Sequence, residues 1–166
     1  YDELARHVID FALIHEPEAI DQRLQKLAFA NDKLVAVMPD DHPLASRDTV
    51  SLLQLKNEHF LTMPMQSIVC RHFLAACKKS GFTPGIRYSG HKEDVILSLV
   101  ENHFGIGILS KITAKYTRHE KVCLVDIIPD IPVLLSLVYA RNQRKTTGKR
   151  AFLQYCKEIS DQYFPV

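Results

Sequence analysis

Short apolar runs alternate with amphipathic segments along this chain. Each apolar run ends at proline or at polar turn residues, which predicts a series of β-strands. The predicted strands are Ile9–Ile14, Leu24–Phe29, Lys33–Met38, Phe60–Met63, Gly85–Ser89, Gly105–Leu109, Val122–Ile128 and Val133–Ala140. The first run is apolar at nearly every position, and this favours burial on both faces.

The segments between these runs carry apolar residues at helical spacing. They predict helices over 2–8, 68–79, 92–103 and 149–163, with Gly81 ending the second and Ser89-Gly90 as caps for the third. In the last helix we expect Phe152, Tyr155, Cys156 and Ile159 to face inward. The alternation of strands and helices indicates an α/β fold with mainly parallel sheets.

Composition narrows the function classes. The chain has 166 residues, 46% of them hydrophobic, and a formal net charge of +2. This apolar fraction supports a packed core and excludes general disorder. No apolar run approaches the roughly 18 residues of a membrane span, and no basic stripe indicates a self-sufficient nucleic-acid binder.

The four cysteines are predicted to be free thiols of a cytoplasmic protein. They form no C-x-x-C pair. Cys70 and Cys77 are two helical turns apart, about 10 Å, beyond the roughly 7 Å reach of a disulfide. A redox pair therefore requires unwinding of the helix and stays a minority alternative.

No residue pattern indicates catalysis, a metal site or a cofactor. The eight histidines show no helical i, i+4 pair. The Gly105-Ile106-Gly107 segment follows a helix and enters a strand, the reverse of a dinucleotide-binding order. We therefore expect its glycines to form a tight turn and the protein not to be an enzyme.

Three loops are candidates for a ligand cleft: His15-Glu16, Pro64–Ser67 and Ser89–Lys92. Each loop lies at the carboxyl end of a predicted strand or at the N-terminus of a predicted helix. These are the places where α/β proteins bind ligands. Ser67 either caps the helix that follows it or donates to a ligand, and the sequence leaves both open.

Several segments, in this order, resemble the effector-binding domain of LysR-type transcriptional regulators. They cover nearly the whole chain and include two turns of moderate specificity, His42-Pro43-Leu44-Ala45 and Gly81-Phe82-Thr83-Pro84. The other matching segments are Ile9–Ile14, Leu34–Asp41, Cys77–Ser80, Leu99-Val100 and Gly105–Leu109.

The resemblance implies a type II periplasmic-binding-protein-like fold, in which two α/β subdomains are joined by crossover strands. Subdomain I would comprise residues 1–31 plus 133–166, and subdomain II residues 32–132. The usual first strand, first helix and second strand of subdomain I have no counterpart in this sequence, so we expect that subdomain to be incomplete.

The resemblance also implies a bacterial regulator whose small effector, often a carboxylate, binds between the subdomains. Such a regulator would also self-associate, commonly as a dimer. It would contact DNA through a helix-turn-helix domain that is absent from this chain. A transporter's solute-binding protein with the same fold is the alternative. By position, the effector-binding residues would be Met65, Gln66, Ser67, Gly90, His91, Ile106 and His15.

Overall fold

The computed structural model describes residues 1–15, 20–117, 120–144 and 146–163. Five α-helices and eight strands lie within these ranges. The strands are β1 Phe11–His15, β2 Leu24–Pro39, β3 Thr49–Ser51, β4 His59–Thr62, β5 Gly85–Ser89, β6 Ile106–Ser110, β7 Val122–Ile128 and β8 Pro132–Ala140. The helices are α1 Asp2–Ala5, α2 Ile68–Lys79, α3 Glu93–Glu101, α4 Lys111–Tyr116 and α5 Thr147–Tyr163, with a 3₁₀ turn over Leu52–Leu55.

The chain divides into two compact units. Unit 1 comprises Tyr1–Asn31 and Leu134–Val166, and unit 2 comprises Asp32–Val133. Both boundaries lie within strands, because β2 and β8 each continue from one unit into the other. The two extended segments predicted over 24–29 and 33–38 are therefore one strand of 16 residues.

Unit 2 contains a mixed sheet in the order β3-β7-β2-β6-β4-β5. The pairs β4–β5, β4–β6 and β3–β7 are parallel, whereas β2 is antiparallel to both β6 and β7. The predicted α/β class is confirmed, but the parallel part is confined mainly to the three strands that α2 and α3 connect. These crossovers place the carboxyl ends of β4, β5 and β6 along one edge.

Alternate residues of β2 serve two cores in unit 2. Leu34, Ala36 and Met38 face a cluster that includes Phe60 and Phe73, in which helix α2 packs. Val35 and Val37 face a second cluster built around α3 residues. Burial on both faces explains why this half of β2 is an unbroken apolar run.

Unit 1 pairs β1 with β8 and β8 with the first half of β2. Leu4, Leu24 and Val138 form its buried cluster. The prediction that the Ile9–Ile14 run is buried on both faces is wrong, since Leu13 is 50% exposed. The reason is that β1 lies at the edge of the described sheet, and Leu13 lies on the face opposite to that cluster.

Helix α5 differs from prediction in the face that it buries. Cys156 and Ser160 are buried, but Phe152 and Tyr155 are 43% and 60% exposed. Ser160 Oγ donates a hydrogen bond to the Phe29 carbonyl at 2.8 Å and thereby fixes the helix to β2. The buried face of α5 therefore includes Ser160 instead of Phe152 and Tyr155. Ser160 is polar, so the apolar pattern does not single it out.

The turn between α3 and β6 is made by a residue other than glycine. His103 adopts φ of 55°, in the left-handed region, whereas Gly105 does not. A Cβ atom at Gly105 would lie 2.5 Å from the His59 carbonyl oxygen. Gly105 is therefore required for close approach of two backbones, and not for the turn that the sequence predicts.

Candidate functional site

The candidate site lies at the edge of unit 2 where the parallel strands end. Thr62, the last residue of β4, pairs with Ser89 of β5 and with Ile108 of β6. The chain then continues through Met63–Ser67 into α2, and through Gly90–Lys92 into α3. Because parallel strands end at the same edge, the two predicted ligand loops of this unit lie side by side.

Two hydrogen bonds join these loops directly. The Gly90 N–H donates to the Thr62 carbonyl at 3.1 Å, and Ser89 Oγ donates to the Met63 carbonyl at 3.1 Å. Three of the four groups in these two bonds belong to the main chain, and only Ser89 contributes a side chain. The side chains of Gln66 and His91 remain exposed, so they are free to contact a molecule at this edge.

Ser67 is the N-cap of α2. Its Oγ accepts a hydrogen bond from the Cys70 N–H at 3.1 Å, which shows the first of the two roles that the sequence leaves open. A serine hydroxyl that accepts in this way still has its own hydrogen to donate. The cap therefore orients Oγ and leaves one donor for a ligand.

The N-terminus of α3 lacks a serine cap of this kind, whereas that of α4 has one. The N-cap of α3 is Lys92, which makes no side-chain cap bond, so the predicted Ser89-Gly90 cap is wrong: Ser89 is held instead by the loop after β4. At α4, Ser110 Oγ accepts from the Thr113 N–H at 3.2 Å. Asp32 Oδ1 accepts from the Ile112 N–H at 3.2 Å, so a carboxylate of the chain itself already occupies that terminus.

A buried thiol lies directly beneath the loop that follows β4. Cys70 Sγ is 3.6 Å from Thr62 Oγ1 and 3.7 Å from Met65 Sδ. All four cysteines are free, as predicted. Burial raises the pKa of the Cys70 thiol, and raises that of Cys77 to about 12. Both thiols are therefore protonated at neutral pH and poorly suited to redox sensing.

Of the predicted effector-binding residues, Ile106 lies away from this edge and His15 belongs to unit 1. Ile106 is 1% exposed and pairs with Phe60 at the start of the strands, two residues before the position opposite Thr62. His15 ends β1 in unit 1, where it pairs with Leu135; its predicted loop partner Glu16 is outside the described residues. The structure thus brings together Met65, Gln66, Ser67, Gly90 and His91.

Thr62 is a residue of this edge that the sequence pattern did not single out. It is fully buried, and its carbonyl and hydroxyl contact Gly90 and Cys70 respectively. The only sequence signal was a hydroxyl residue at the end of an apolar strand. Burial of such a group requires hydrogen-bond partners and so marks a fixed position.

A compact ionic cluster stabilises unit 2 at the start of its β2 segment. Lys111 Nζ lies 2.6 Å from Asp126 Oδ1, and Lys33 Nζ lies 2.8 Å from Asp126 Oδ2 and 2.9 Å from Asp130 Oδ1. Partial burial raises the pKa of the Asp126 carboxyl, but hydrogen bonds from Lys111 and Lys33 outweigh it and hold that pKa below its ordinary value. The ionised form of Asp126 therefore stabilises the fold.

We expect Asp126→Asn to lower the free energy of unfolding by about 1 kcal/mol at pH 7, after allowance for solvent screening. A carboxyl with a depressed pKa contributes stability above its unfolded pKa, and this contribution is lost as pH falls through the folded pKa. Urea unfolding should therefore show a difference between variant and parent that is constant from pH 7 to 5 and shrinks below about pH 4. Asp130→Asn is the matched control, with a smaller loss, because Asp130 is 58% exposed. An equal loss at pH 7 and pH 3.5 would contradict this account.

Neither a metal centre nor a membrane span is found in the described ranges. No group of three or more His, Cys, Asp or Glu side chains there is placed to hold a metal ion. Among the same residues, no helix has the length and apolar character needed to cross a bilayer.

The amino-acid sequence is similar to one protein family and to curated transcriptional regulators. The family model of the LysR substrate binding domain matches residues 1–160. The chain is 26% identical over 149 residues to the transcriptional dual regulator GltC of Bacillus subtilis, covering 89% of this chain and 49% of GltC. It spans about half the length of the curated relatives that it matches.

Solved structures agree on the fold. The effector-binding domain of QuiR, in complex with shikimate, superposes with a TM-score of 0.85 at 20% identity, covering 98% of this chain and 77% of that one. The BenM effector-binding domain with its effector benzoate gives 0.78 at 18% identity, covering 95% and 72%. Both share the type II periplasmic-binding-protein-like fold expected for this chain. Since the family match extends over residues 1–160, the chain belongs to the LysR substrate-binding domain family.

Proposed function

We propose that this chain senses a small carboxylate for a LysR-type transcriptional regulator. In this proposal unit 1 corresponds to subdomain I, residues 1–31 plus 133–166, and unit 2 to subdomain II, residues 32–132. The effector binds between the subdomains and against the edge formed by the loops after β4 and β5. The observation that carries the proposal is the side-by-side placement of these two loops by the Thr62–Ser89 pairing, in a chain of this family.

The chemistry of the edge favours an anion with a planar or ring-shaped body. Ser67 Oγ, once fixed by its cap bond, offers a hydroxyl hydrogen, and the exposed Gln66 amide and His91 ring add donors. Met65, 45% exposed, offers a polarisable apolar contact. Shikimate and benzoate, bound by QuiR and BenM, both combine a carboxylate with a six-membered ring, and we extend this ligand class to the present chain. His15 is the remaining residue of the proposed lining, and the buried Ile106 is not part of it.

The proposal also includes an effect of the effector on DNA binding. Effector binding shifts the population of subdomain arrangements and of a self-associated form, commonly a dimer, and thereby changes how a helix-turn-helix domain of the full-length protein holds DNA. Such a regulator acts in the cytoplasm, where its DNA is, and has no catalytic step.

The proposal predicts that a ring carboxylate stabilises the chain and that Ser67 is needed for it. Thermal unfolding should be measured with benzoate, shikimate and benzamide, the last as an uncharged analogue of benzoate. Calorimetry then gives the affinity of the best ligand. We expect Ser67→Ala to weaken that affinity about tenfold, the effect of losing one hydrogen bond to a charged group.

Ser51→Ala is the control, since Ser51 stands at the N-cap position of the 3₁₀ turn over Leu52–Leu55, where its Oγ donates to Gln54 Oε1 at 3.1 Å. Each variant loses a hydrogen bond of an N-cap serine, worth about 1 kcal/mol at Ser67, but only the Ser67 variant should lose ligand affinity. Ser67→Thr should retain it. The site assignment fails if Ser67→Ala binds as tightly as the parent, and the ligand class fails if the two carboxylates give no more stabilisation than benzamide.

A further inference from the structure

Unit 1 contains a pocket of its own. It has a volume of about 420 Å³, within the usual range for small-molecule sites. Its walls come from β2, the end of β8 and the N-terminal half of α5, all of which belong to unit 1. The pocket is therefore independent of the edge in unit 2 at which we place the effector.

Residue spacing explains how these walls are built. Gln25 and Leu27 are two apart on β2, so both lie on one face of that strand. Tyr139 lies near the end of β8, and Arg141 directly follows the strand. On α5, the lining residues are Lys149, Arg150, Leu153, Gln154 and Lys157. Separations of three and four residues link them, which places them on one side of the helix.

The pocket is strongly cationic. Four of its lining residues are Arg141, Lys149, Arg150 and Lys157, and no carboxylate is among the described residues that line it. Lys149 is paired with Asp10, and the Arg141 guanidinium donates to the Gln22 and Leu24 carbonyls at 3.2 and 3.5 Å. Within the described residues, the charges of Arg150 and Lys157 have no ion-pair partner.

A buried polar group in the same pocket gives a second, independent indication of a ligand. Gln143 is 8% exposed, and its Oε1 has no hydrogen-bond partner among the described residues. Leaving a buried acceptor unpaired is costly. A hydroxyl group of a bound molecule would supply the missing donor, while its charged end would meet Arg150 and Lys157.

From this geometry we propose that unit 1 binds a small hydroxylated anion, a phosphate ester or a hydroxycarboxylate, between α5 and the β2–β8 face. The anionic group pairs with Arg150 and Lys157, and a hydroxyl donates to Gln143 Oε1. The apolar side chains of Leu27 and Leu153 bound the remainder of the pocket. This site goes beyond the proposed effector site and does not depend on it.

The test is a titration of the chain with glucose 6-phosphate and with citrate, with glucose as the uncharged control, followed by calorimetry and amide NMR shifts. We expect one of the two anions to saturate below about 10 mM, with shifts concentrated in α5 and the end of β8, and glucose to give none. Comparing the two anions distinguishes a phosphate from a carboxylate ligand. Binding should weaken as salt is added.

Two variants identify the residues. Arg150→Gln/Lys157→Gln should weaken binding at least about tenfold, because each charge forms a strong hydrogen bond to an oxyanion. Gln143→Leu should weaken it without changing the dependence on salt. Lys78→Gln/Lys79→Gln removes the same charge from the exposed end of α2 in unit 2 and should leave affinity unchanged.

The proposal is overturned if neither anion saturates, or if the Lys78/Lys79 control loses as much affinity as the Arg150/Lys157 variant. It is also overturned if the same residues bind duplex DNA while both small anions fail to bind. Ser67→Ala should leave this binding intact, so failure here and failure of the proposed effector site are separate results.

Discussion

Phe73→Ala is expected to lower the free energy of unfolding by about 4 kcal/mol, which is near the upper end for a single core truncation. Phe73 and Phe60 are both fully buried, with ring centroids 4.9 Å apart. The truncation removes apolar contacts and the aromatic pair, and it leaves a cavity that β4 and α2 cannot close without moving. Urea unfolding followed by circular dichroism measures the loss.

The matched control is Phe152→Ala, another phenylalanine-to-alanine change on a helix. Phe152 is 43% exposed, although it contacts Phe11 at 4.8 Å between centroids. We expect a loss of about 1 kcal/mol there, since less area is returned to water. Comparable losses for the two variants would contradict the assignment of the core.

Gly105→Ala should cost about 3 kcal/mol for the addition of a single methyl group. The new Cβ atom would meet the His59 carbonyl oxygen at 2.5 Å, and a backbone atom cannot rotate away as a side chain can. Relief requires β4 to shift relative to β6, against the pairing of Phe60 with Ile106. The thermal midpoint and the urea midpoint should both fall.

Gly148→Ala provides the control for that change. Gly148 lies in α5, and nothing is within 4 Å of its added Cβ atom. Alanine is the better helix former, so we expect a gain of about 0.5–1 kcal/mol. The two glycine substitutions should therefore have opposite signs. A loss at both positions would mean that close approach is not the reason for Gly105.

Local signals predicted the elements that form the unit 2 edge. Helix α2 runs over Ile68–Lys79 as expected, since an N-cap serine and the positive φ of Gly81 delimit it. Strands β5 and β7 also have the predicted bounds. In each case the determining residues are neighbours in sequence, so the pattern alone was sufficient.

Long-range contacts account for what the sequence did not predict. Helix α4 has only six residues, and its start is stabilised by Asp32, 80 positions from Ile112. Asp32 makes this contact from within β2, which runs through Asn31 and Asp32 between the two predicted strands. The sequence pattern also could not predict that Ile106 is buried away from the strand ends, because this depends on the register between β4 and β6.

The bonds that join the loops after β4 and β5 bear on how this scaffold changes its ligand over evolution. Loop shape at this edge depends on Gly90, Ser89 and main-chain carbonyls, whereas Gln66 and His91 are exposed. Substitution of Gln66 or His91 therefore carries little stability cost, since surface changes away from fixed contacts usually shift stability by less than about 0.5 kcal/mol. Under the proposed function, in which Gln66 and His91 contact the effector, single substitutions there would change ligand preference without a compensating change elsewhere in the fold.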